Sequence, residues 1–83
     1  MKLYTLKIKE RYFYDVNGGL KKAELRKDDR QYEVGDLIHF VDTKGREIDC
    51  FSDNLFEITH ILRKVPEYGL DVNYAILSIK KVK

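Results

Sequence analysis

Cysteine, proline and tryptophan are rare or absent in this chain of 83 residues, and each shortage narrows what the protein can be. The single cysteine, Cys50, cannot form a disulfide within the chain. The two histidines, His39 and His60, stand 21 positions apart without further ligands at the spacing of a metal site. The sequence therefore predicts no disulfide, no metal and no cofactor, and Cys50 is expected to be a small buried hydrophobe.

Long hydrophobic runs are also missing. No apolar stretch approaches the ~20 residues of a transmembrane helix. The first ten residues alternate charged with apolar side chains, unlike the continuous apolar core of a signal peptide. We therefore expect a cytoplasmic protein that does not contact a membrane and acts as a monomer.

The composition is that of a single folded domain spanning residues 1–83, since 43% of the residues are hydrophobic and 36% are charged. Its net charge of +2 is too small to indicate nucleic-acid binding, but the charge is unevenly distributed. Segments 1–35 and 60–83 each carry +3, whereas 36–59 carries −4. If the first and last strands were neighbours, the two basic segments would form one face; a merely solvated surface is the alternative.

Periodicity predicts one helix and several strands. Residues 3–9 alternate as a half-buried strand, and residues 10–17 show helical spacing that ends at Gly18 or Gly19. Further strand patterns occupy 21–27, 36–43, 47–53, 55–63 and 74–82. The last two are apolar enough to predict central positions buried on both faces. Residues expected inside are Phe13, Val16, Ala23, Leu25, Ile38, Phe40, Ile48, Ile58, Ile76 and Leu77, with Phe56, Ile58, His60 and Leu62 sharing one face. Six strands and one helix favour an α+β, mainly β fold built on a strongly curved sheet or barrel.

Residues 19–26, "GLKKAELR", resemble the G-x-K-x-x-E-x-R signature of ASCH domains in the PUA-like superfamily. The continuation "DDRQYEVGD" is similar to a small bacterial and phage subfamily, and the resemblance runs from about Leu3 to Lys80. It implies a pseudo-barrel of five or six mostly antiparallel strands with one helix between strands one and two. It also implies a cleft beside the signature, in a superfamily whose better understood members bind RNA.

The signature has its own physical interpretation. Glu24 and Arg26 are two residues apart on a strand, so their side chains share a face and are predicted to form an ion pair. In one interpretation Glu24 is a structural clamp that orients Arg26 or Arg30 and ties the 28–33 connection to the barrel. In the other, the clamp presents Arg26 and Lys21 to a phosphate or a base edge. The two interpretations are compatible.

The main functional prediction is a non-enzymatic domain that binds single-stranded RNA or a nucleotide in a basic cleft. The residues predicted to border the cleft are Lys21, Arg26, Lys27, Arg30 and Tyr32. Tyr32 either stacks on a base or is a core aromatic with its hydroxyl at the surface. The segment 34–36 is predicted to be a turn in which Asp36 accepts hydrogen bonds from nearby N–H groups.

Two alternatives belong to other functional classes. Some ASCH proteins are amidohydrolases that act on N4-acetylcytidine, which would assign catalysis to Lys21, Glu24 and Glu67. Glu24 stands where those enzymes have a threonine, so the hydroxyl that this chemistry uses is missing. The other alternative is a phage-encoded module that binds a host protein.

Overall fold

The computed structural model describes residues 1–49 and 53–82 and shows a mainly β fold with one α-helix. The elements are β1 (Leu3–Lys7), α1 (Glu10–Asn17), β2 (Ala23–Lys27), β3 (Leu37–Val41), β4 (Phe56–Arg63), a 3₁₀ turn (Pro66–Tyr68) and β5 (Tyr74–Lys81). The strand predicted at 47–53 is reduced, in its described part, to one isolated bridge between Val41 and Glu47. Cys50 lies outside the described residues. No helix in the described part of the chain is long and apolar enough to cross a membrane.

The five strands form one mixed sheet in the order β1-β3-β4-β5-β2, curled into a half-barrel. β1 pairs with β3 in parallel, and the other three pairings are antiparallel. The predicted fold class, including the helix between the first two strands, is confirmed.

The first and last strands are not neighbours, because β5 pairs with β4 and β2. The basic segments meet by another route: the antiparallel pairing of β2 with β5 brings residues 21–22 close to 79–81.

Helix α1 covers the predicted residues and closes one end of the half-barrel. Phe13 and Val16 are its buried side chains, and the Phe13 ring lies 6.3 Å from the ring of Phe40 and 6.4 Å from that of Phe56. Gly19 follows the helix with φ +83°, and a Cβ placed there would meet nothing within 4 Å. Glycine is therefore required at this turn for its backbone conformation rather than for space.

The core confirms part of the predicted buried set and corrects the rest. Ile38, Phe40, Ile48, Ile58 and Leu77 are buried as predicted. Ala23 is exposed, Leu25 is 59% exposed and Ile76 is only partly buried, so these three assignments were wrong.

The physical reasons differ between strands. In β2 the inward face belongs to Glu24 and Arg26, because their charges are paired with each other there. In β4 a register shift between Ile58 and His60 reverses the alternation, so His60 and Leu62 turn outward. The expectation that β4 and β5 are buried on both faces was wrong, although both strands are central in the sheet.

Candidate ligand-binding site

A charged cluster of Lys21, Glu24 and Arg26 lies where α1 leads into β2. Glu24 is 7% exposed, and its two carboxylate oxygens serve different cations. Lys21 Nζ is 2.5 Å from Oε1, and Arg26 Nη2 is 2.5 Å from Oε2. Lys21 Nζ also donates to the carbonyl oxygen of Ala23. One buried carboxylate thus holds both signature cations, and the ion pair predicted between Glu24 and Arg26 is formed.

Arg26 bridges the open seam between the two edge strands of the half-barrel. Its Nη2 donates to the carbonyl oxygen of Lys7 at the end of β1, over 2.6 Å. Its guanidinium carbon lies 6.0 Å from the centre of the Phe40 ring. Because β1 and β2 are not paired in the sheet, this side chain supplies a link that the backbone does not.

The connection 28–36 covers the same seam. Of the two arginines predicted as alternative partners of Glu24, Arg26 and Arg30, the structure pairs Arg26 with it. No ion pair of Arg30 occurs within residues 1–49 and 53–82, and its carbonyl oxygen accepts a hydrogen bond from the Tyr4 hydroxyl at 3.0 Å. Arg63 ties down the connection instead. Its Nε is 3.0 Å from Asp28 Oδ2, and its Nη2 donates to the carbonyl oxygen of Tyr32 at 3.0 Å. Sequence reasoning missed Arg63, since nothing local links β4 to residue 28.

Tyr32 is a core residue and not a surface for base stacking. It is 2% exposed, and its ring meets the Tyr4 ring edge-on at a centroid distance of 4.9 Å. Burial raises the pKa of the Tyr32 phenol, and Arg26 and Arg30 partly offset that rise. Because both faces of the ring are inside the protein, a base has no access to them.

Asp36 anchors the other end of the connection, as the sequence predicts. Its two carboxylate oxygens accept the backbone N–H groups of Lys2 and Glu33, each at 3.0 Å. Burial by itself would raise the pKa of Asp36, but these hydrogen bonds, the Tyr4 hydroxyl and the positive N-terminus together lower it. The carboxylate therefore fixes the start of β3 against the beginning of the chain.

The seam pocket is a small recess of about 150 Å³ between β1, β2 and the connection. Its lining residues are Leu6, Arg26, Lys27, Asp29, Arg30 and Tyr32. Four of the five predicted cleft residues therefore border one recess, and Lys21 does not. The recess contains a carboxylate, and its most buried cation is already bound by Glu24.

Lys21 borders a different space, the lysine cavity, which measures about 260 Å³. Its lining residues are Val16, Asn17, Gly19, Lys21, Lys22, Phe56, Ile79, Lys80 and Lys81. The sheet assembles it, because the N–H of Ile79 donates to the carbonyl oxygen of Lys22 at 3.0 Å. Lys81 Nζ donates to Asn17 Oδ1 at 2.6 Å. Neither Lys22 nor Lys80 has an ion-pair partner among the residues that the structure describes.

Sequence reasoning missed three of these four lysines. Their signal is two Lys-Lys pairs, at 21–22 and 80–81, each near one end of a predicted strand. The register of β2 against β5 brings the two lysine pairs together. The alternation of residues within one segment does not reveal how two strands align.

The two histidines lie elsewhere and do not contact each other in the described structure. His39 adjoins a cavity of about 360 Å³, and its ring nitrogens are each 2.8 Å from an oxygen, the Asn54 carbonyl and a Glu47 carboxylate. His60 is exposed on β4. No group of three or more potential metal ligands occurs within residues 1–49 and 53–82.

The residues that an amidohydrolase would need are not brought together. Glu67 lies in the 3₁₀ turn that joins β4 to β5, beyond the end of β5 where Tyr74 pairs with Lys27. Lys21 lies beyond the other end of β2. Four residue steps of strand, roughly 13 Å, separate the two ends. Only Lys21 and Glu24 are in contact.

The chain belongs to the family described as a domain of unknown function (DUF3850), whose sequence profile matches residues 3–79. Among solved structures it is similar to a crystal structure of hypothetical protein PH0355, with a TM-score of 0.63 and 19% sequence identity. That likeness covers 96% of this chain and 98% of the other, and at this identity it shows a shared fold. No curated protein matches the chain.

Proposed function

We propose that this domain is an ASCH-like member of the PUA-like superfamily that binds single-stranded RNA or a nucleotide without catalysing a reaction. The ligand lies in the lysine cavity rather than in the seam pocket. One observation carries the proposal: four lysines line this cavity, and no carboxylate is among the described residues that line it.

The charge balance around the cavity favours an anionic ligand. Lys22 and Lys80 are exposed, and within the described chain neither is neutralised by an ion pair. Among the described residues, Glu24 is the carboxylate of the adjoining charged cluster. It is shared between Lys21 and Arg26, so it cancels only one of those two charges. Lysine ammonium groups act as point charges for phosphate, and such contacts provide most of the affinity of non-specific nucleic-acid binding.

The size and floor of the cavity limit what it accepts. Its volume of about 260 Å³ lies slightly below the usual range for small-molecule sites, which begins at about 300 Å³. Val16, Phe56 and Ile79 form an apolar floor beneath the lysines. A single nucleotide unit fits this combination, with its phosphate on the lysines, while a longer strand would continue over the surface.

We infer the absence of catalysis from the contacts that Lys21 makes. Its ammonium group is held by Glu24 and by the Ala23 carbonyl oxygen, an arrangement that positions a charge. Glu67, the further carboxylate that the hydrolase interpretation needs, lies beyond the far end of β2.

An NMR titration of the ¹⁵N-labelled chain with cytidine monophosphate and with a short single-stranded RNA tests the proposal. We expect chemical-shift changes at residues 16–22 and 79–82 and affinity that falls as salt rises. For single strands, the slope of log K against log salt is about −0.7 for each neutralised phosphate. Lys22→Ala should therefore weaken binding and make the slope shallower by about 0.7.

Lys44→Ala is the matched control, because Lys44 is an exposed lysine in the turn after β3 and lies far along the chain from the cavity residues. It should leave both affinity and slope unchanged. Absence of shifts at low salt with either probe, or binding that is independent of salt, would refute the proposal. Turnover of N4-acetylcytidine that disappears in Lys21→Ala would replace it with the amidohydrolase alternative.

A further inference from the structure

The four lysines of the lysine cavity differ in how far the chain neutralises them. Lys21 is paired with Glu24, with Nζ 2.5 Å from Oε1. Lys80 stands opposite Glu57 where β5 pairs with β4, so a carboxylate is its cross-strand neighbour. Lys22 and Lys81 form no ion pair within residues 1–49 and 53–82. The described chain thus leaves the positive charges of these two lysines uncompensated.

Lys22 and Lys81 reach the cavity from neighbouring strands. The Ile79 N–H donates to the Lys22 carbonyl oxygen at 3.0 Å, which places position 22 opposite position 79. Lys81 follows Ile79 by two residues, so these two side chains share a face of β5. Lys22 and Lys81 are then diagonal neighbours, which in a sheet lie about 7–8 Å apart and within reach of long side chains. One phosphate group can therefore contact both ammonium groups.

Lys81 is positioned without being neutralised. Its Nζ donates to Asn17 Oδ1 at 2.6 Å, and the amide oxygen that accepts this bond carries no net charge. An ammonium group has three donors, of which this contact uses one. The partly buried side chain is thereby held beside the cavity with its charge intact.

The carboxyl end of α1 also borders the cavity, and its backbone would oppose an anion if its carbonyl groups were unsatisfied. The carbonyl oxygens of Tyr14, Asp15 and Val16 accept hydrogen bonds from the backbone N–H groups of residues 18–21. These bonds satisfy the end of the helix from within the chain. The lysines therefore dominate the electrostatics of the cavity.

The shape of the cavity favours the end of a nucleic-acid chain over an internal nucleotide. The end of α1, the residues before β2, the end of β5 and the start of β4 enclose it. Val16, Phe56 and Ile79, which form its floor, are buried core residues. An internal nucleotide continues through a phosphodiester on both sides and needs a groove with two exits, whereas a terminal nucleotide needs one.

We propose that the lysine cavity selects a phosphomonoester, either the terminal phosphate of a single-stranded RNA or the phosphate of a free nucleotide. A phosphomonoester carries a charge of about −1.5 to −2 at neutral pH, whereas an internal phosphodiester carries a single negative charge. The monoester therefore matches the two uncompensated lysines. This inference rests on the proposed function and narrows its ligand.

The probes are two pairs of ligands in which a methyl ester removes one charge from the phosphate. Cytidine monophosphate is compared with its methyl phosphodiester, and a short cytidine RNA with a 5′-phosphate is compared with the same RNA whose 5′-phosphate is methylated. Amide chemical shifts of the full-length chain give the affinity and locate the ligand. We expect each monoester to bind about tenfold more tightly than its methyl ester, because a charge-assisted contact is lost. The shifts should concentrate at residues 16–22 and 79–82.

The lysines offer matched variants for the same measurement. Lys22→Gln and Lys81→Gln each remove one of the two uncompensated charges and keep a polar side chain. Both should bring the affinities of a monoester and its methyl ester close to each other. Lys44→Gln makes the same change in the turn after β3 and should preserve the preference. Because the two ligands are compared on one protein, a general loss of stability does not imitate the effect.

The outcomes separate this inference from the proposed function. Equal affinity of each monoester and its methyl ester, with shifts still at the cavity, would overturn the inference and leave the proposed function standing. Absence of binding by all four ligands would overturn both. A preference that persists in Lys22→Gln and in Lys81→Gln would overturn the assignment to these lysines. A preference confined to cytidine monophosphate supports a free nucleotide as the ligand, and one that extends to the phosphorylated RNA supports a strand end.

Discussion

The seam pocket and the lysine cavity adjoin the same charged cluster but use their charges differently. In the seam, Arg26 is bonded to Glu24 and to the Lys7 carbonyl oxygen, and Tyr32 is buried against Tyr4. In the lysine cavity, Lys22 and Lys80 have no ion-pair partner in the described chain. The difference teaches that basic residues beside a signature indicate a binding site only where the fold has not already neutralised them.

Glu24 belongs to both regions, because one of its oxygens faces Arg26 and the other faces Lys21. Its role in the seam is to compensate a largely buried guanidinium, whose side chain is 19% exposed. Its role beside the cavity is to orient the ammonium of Lys21, whose side chain is 32% exposed. Removing it tests which role dominates.

The largest effect is expected for Glu24→Ala. The substitution leaves Arg26 largely buried without its carboxylate, and breaking such a pair costs about 3 kcal/mol or more of unfolding free energy. Urea unfolding followed by circular dichroism measures this. Glu47→Ala is the control, since its side chain is 75% exposed and pairs only with His39 in the described structure, so it should cost less than about 1 kcal/mol. Similar losses for the two variants would show that Glu24 is not a clamp.

A smaller effect is expected for Tyr32→Leu. It removes the edge-on contact with Tyr4 and leaves a gap in the core, at a cost of about 2 kcal/mol. RNA affinity of the folded variant should be unchanged, because Tyr32 is not accessible to a base. Tyr74→Leu serves as the matched control, since Tyr74 is 42% exposed and its loss should change stability by less than about 0.5 kcal/mol. Loss of RNA binding in Tyr32→Leu would return the ligand to the seam pocket.

The fold was largely predictable because its strongest signals are local. Helical spacing and a following glycine gave the exact bounds of α1. Alternation located β1 and β3, and for β3 it also gave the buried face. The seam was predictable only in part. The ion pair of Glu24 with Arg26 follows from their shared strand face, whereas the pairing of Arg63 with Asp28 depends on tertiary packing.

The errors arise where local rules conflict with packing. The sequence-based prediction placed Ala23 and Leu25 on the buried face of β2, because unpaired charges are costly to bury. Mutual pairing removed that cost for Glu24 and Arg26. In β4 a single register shift reversed the faces beyond Ile58, and nothing in the residue types announces it. The lysine cavity required the register of β2 on β5, which no single segment encodes.

The smallest predicted effect is a change of stability with pH. It arises from Asp36, the carboxylate that anchors the connection over the seam. The pKa of Asp36 is lowered in the folded state, because burial, which raises it, is outweighed by the Lys2 and Glu33 N–H groups together with the Tyr4 hydroxyl and the positive N-terminus. The unfolded chain therefore binds the proton more readily. The resulting stabilisation is present above the unfolded-state pKa and is lost as pH falls through the folded-state pKa. We expect the unfolding free energy to decrease across the acidic range below the ordinary aspartate pKa of ~3.9.

Asp36→Asn should be less stable at neutral pH and should show a shallower decrease with acid, because its amide cannot accept both N–H groups and does not titrate. Asp29→Asn removes the same charge from an exposed position and controls for the change in net charge. Urea midpoints measured over the acidic range for the three proteins supply the comparison. If the Asp36→Asn curve runs parallel to that of the wild type, the Asp36 carboxylate is not the group that links the connection to pH, and the anchoring assigned to it must come from another contact.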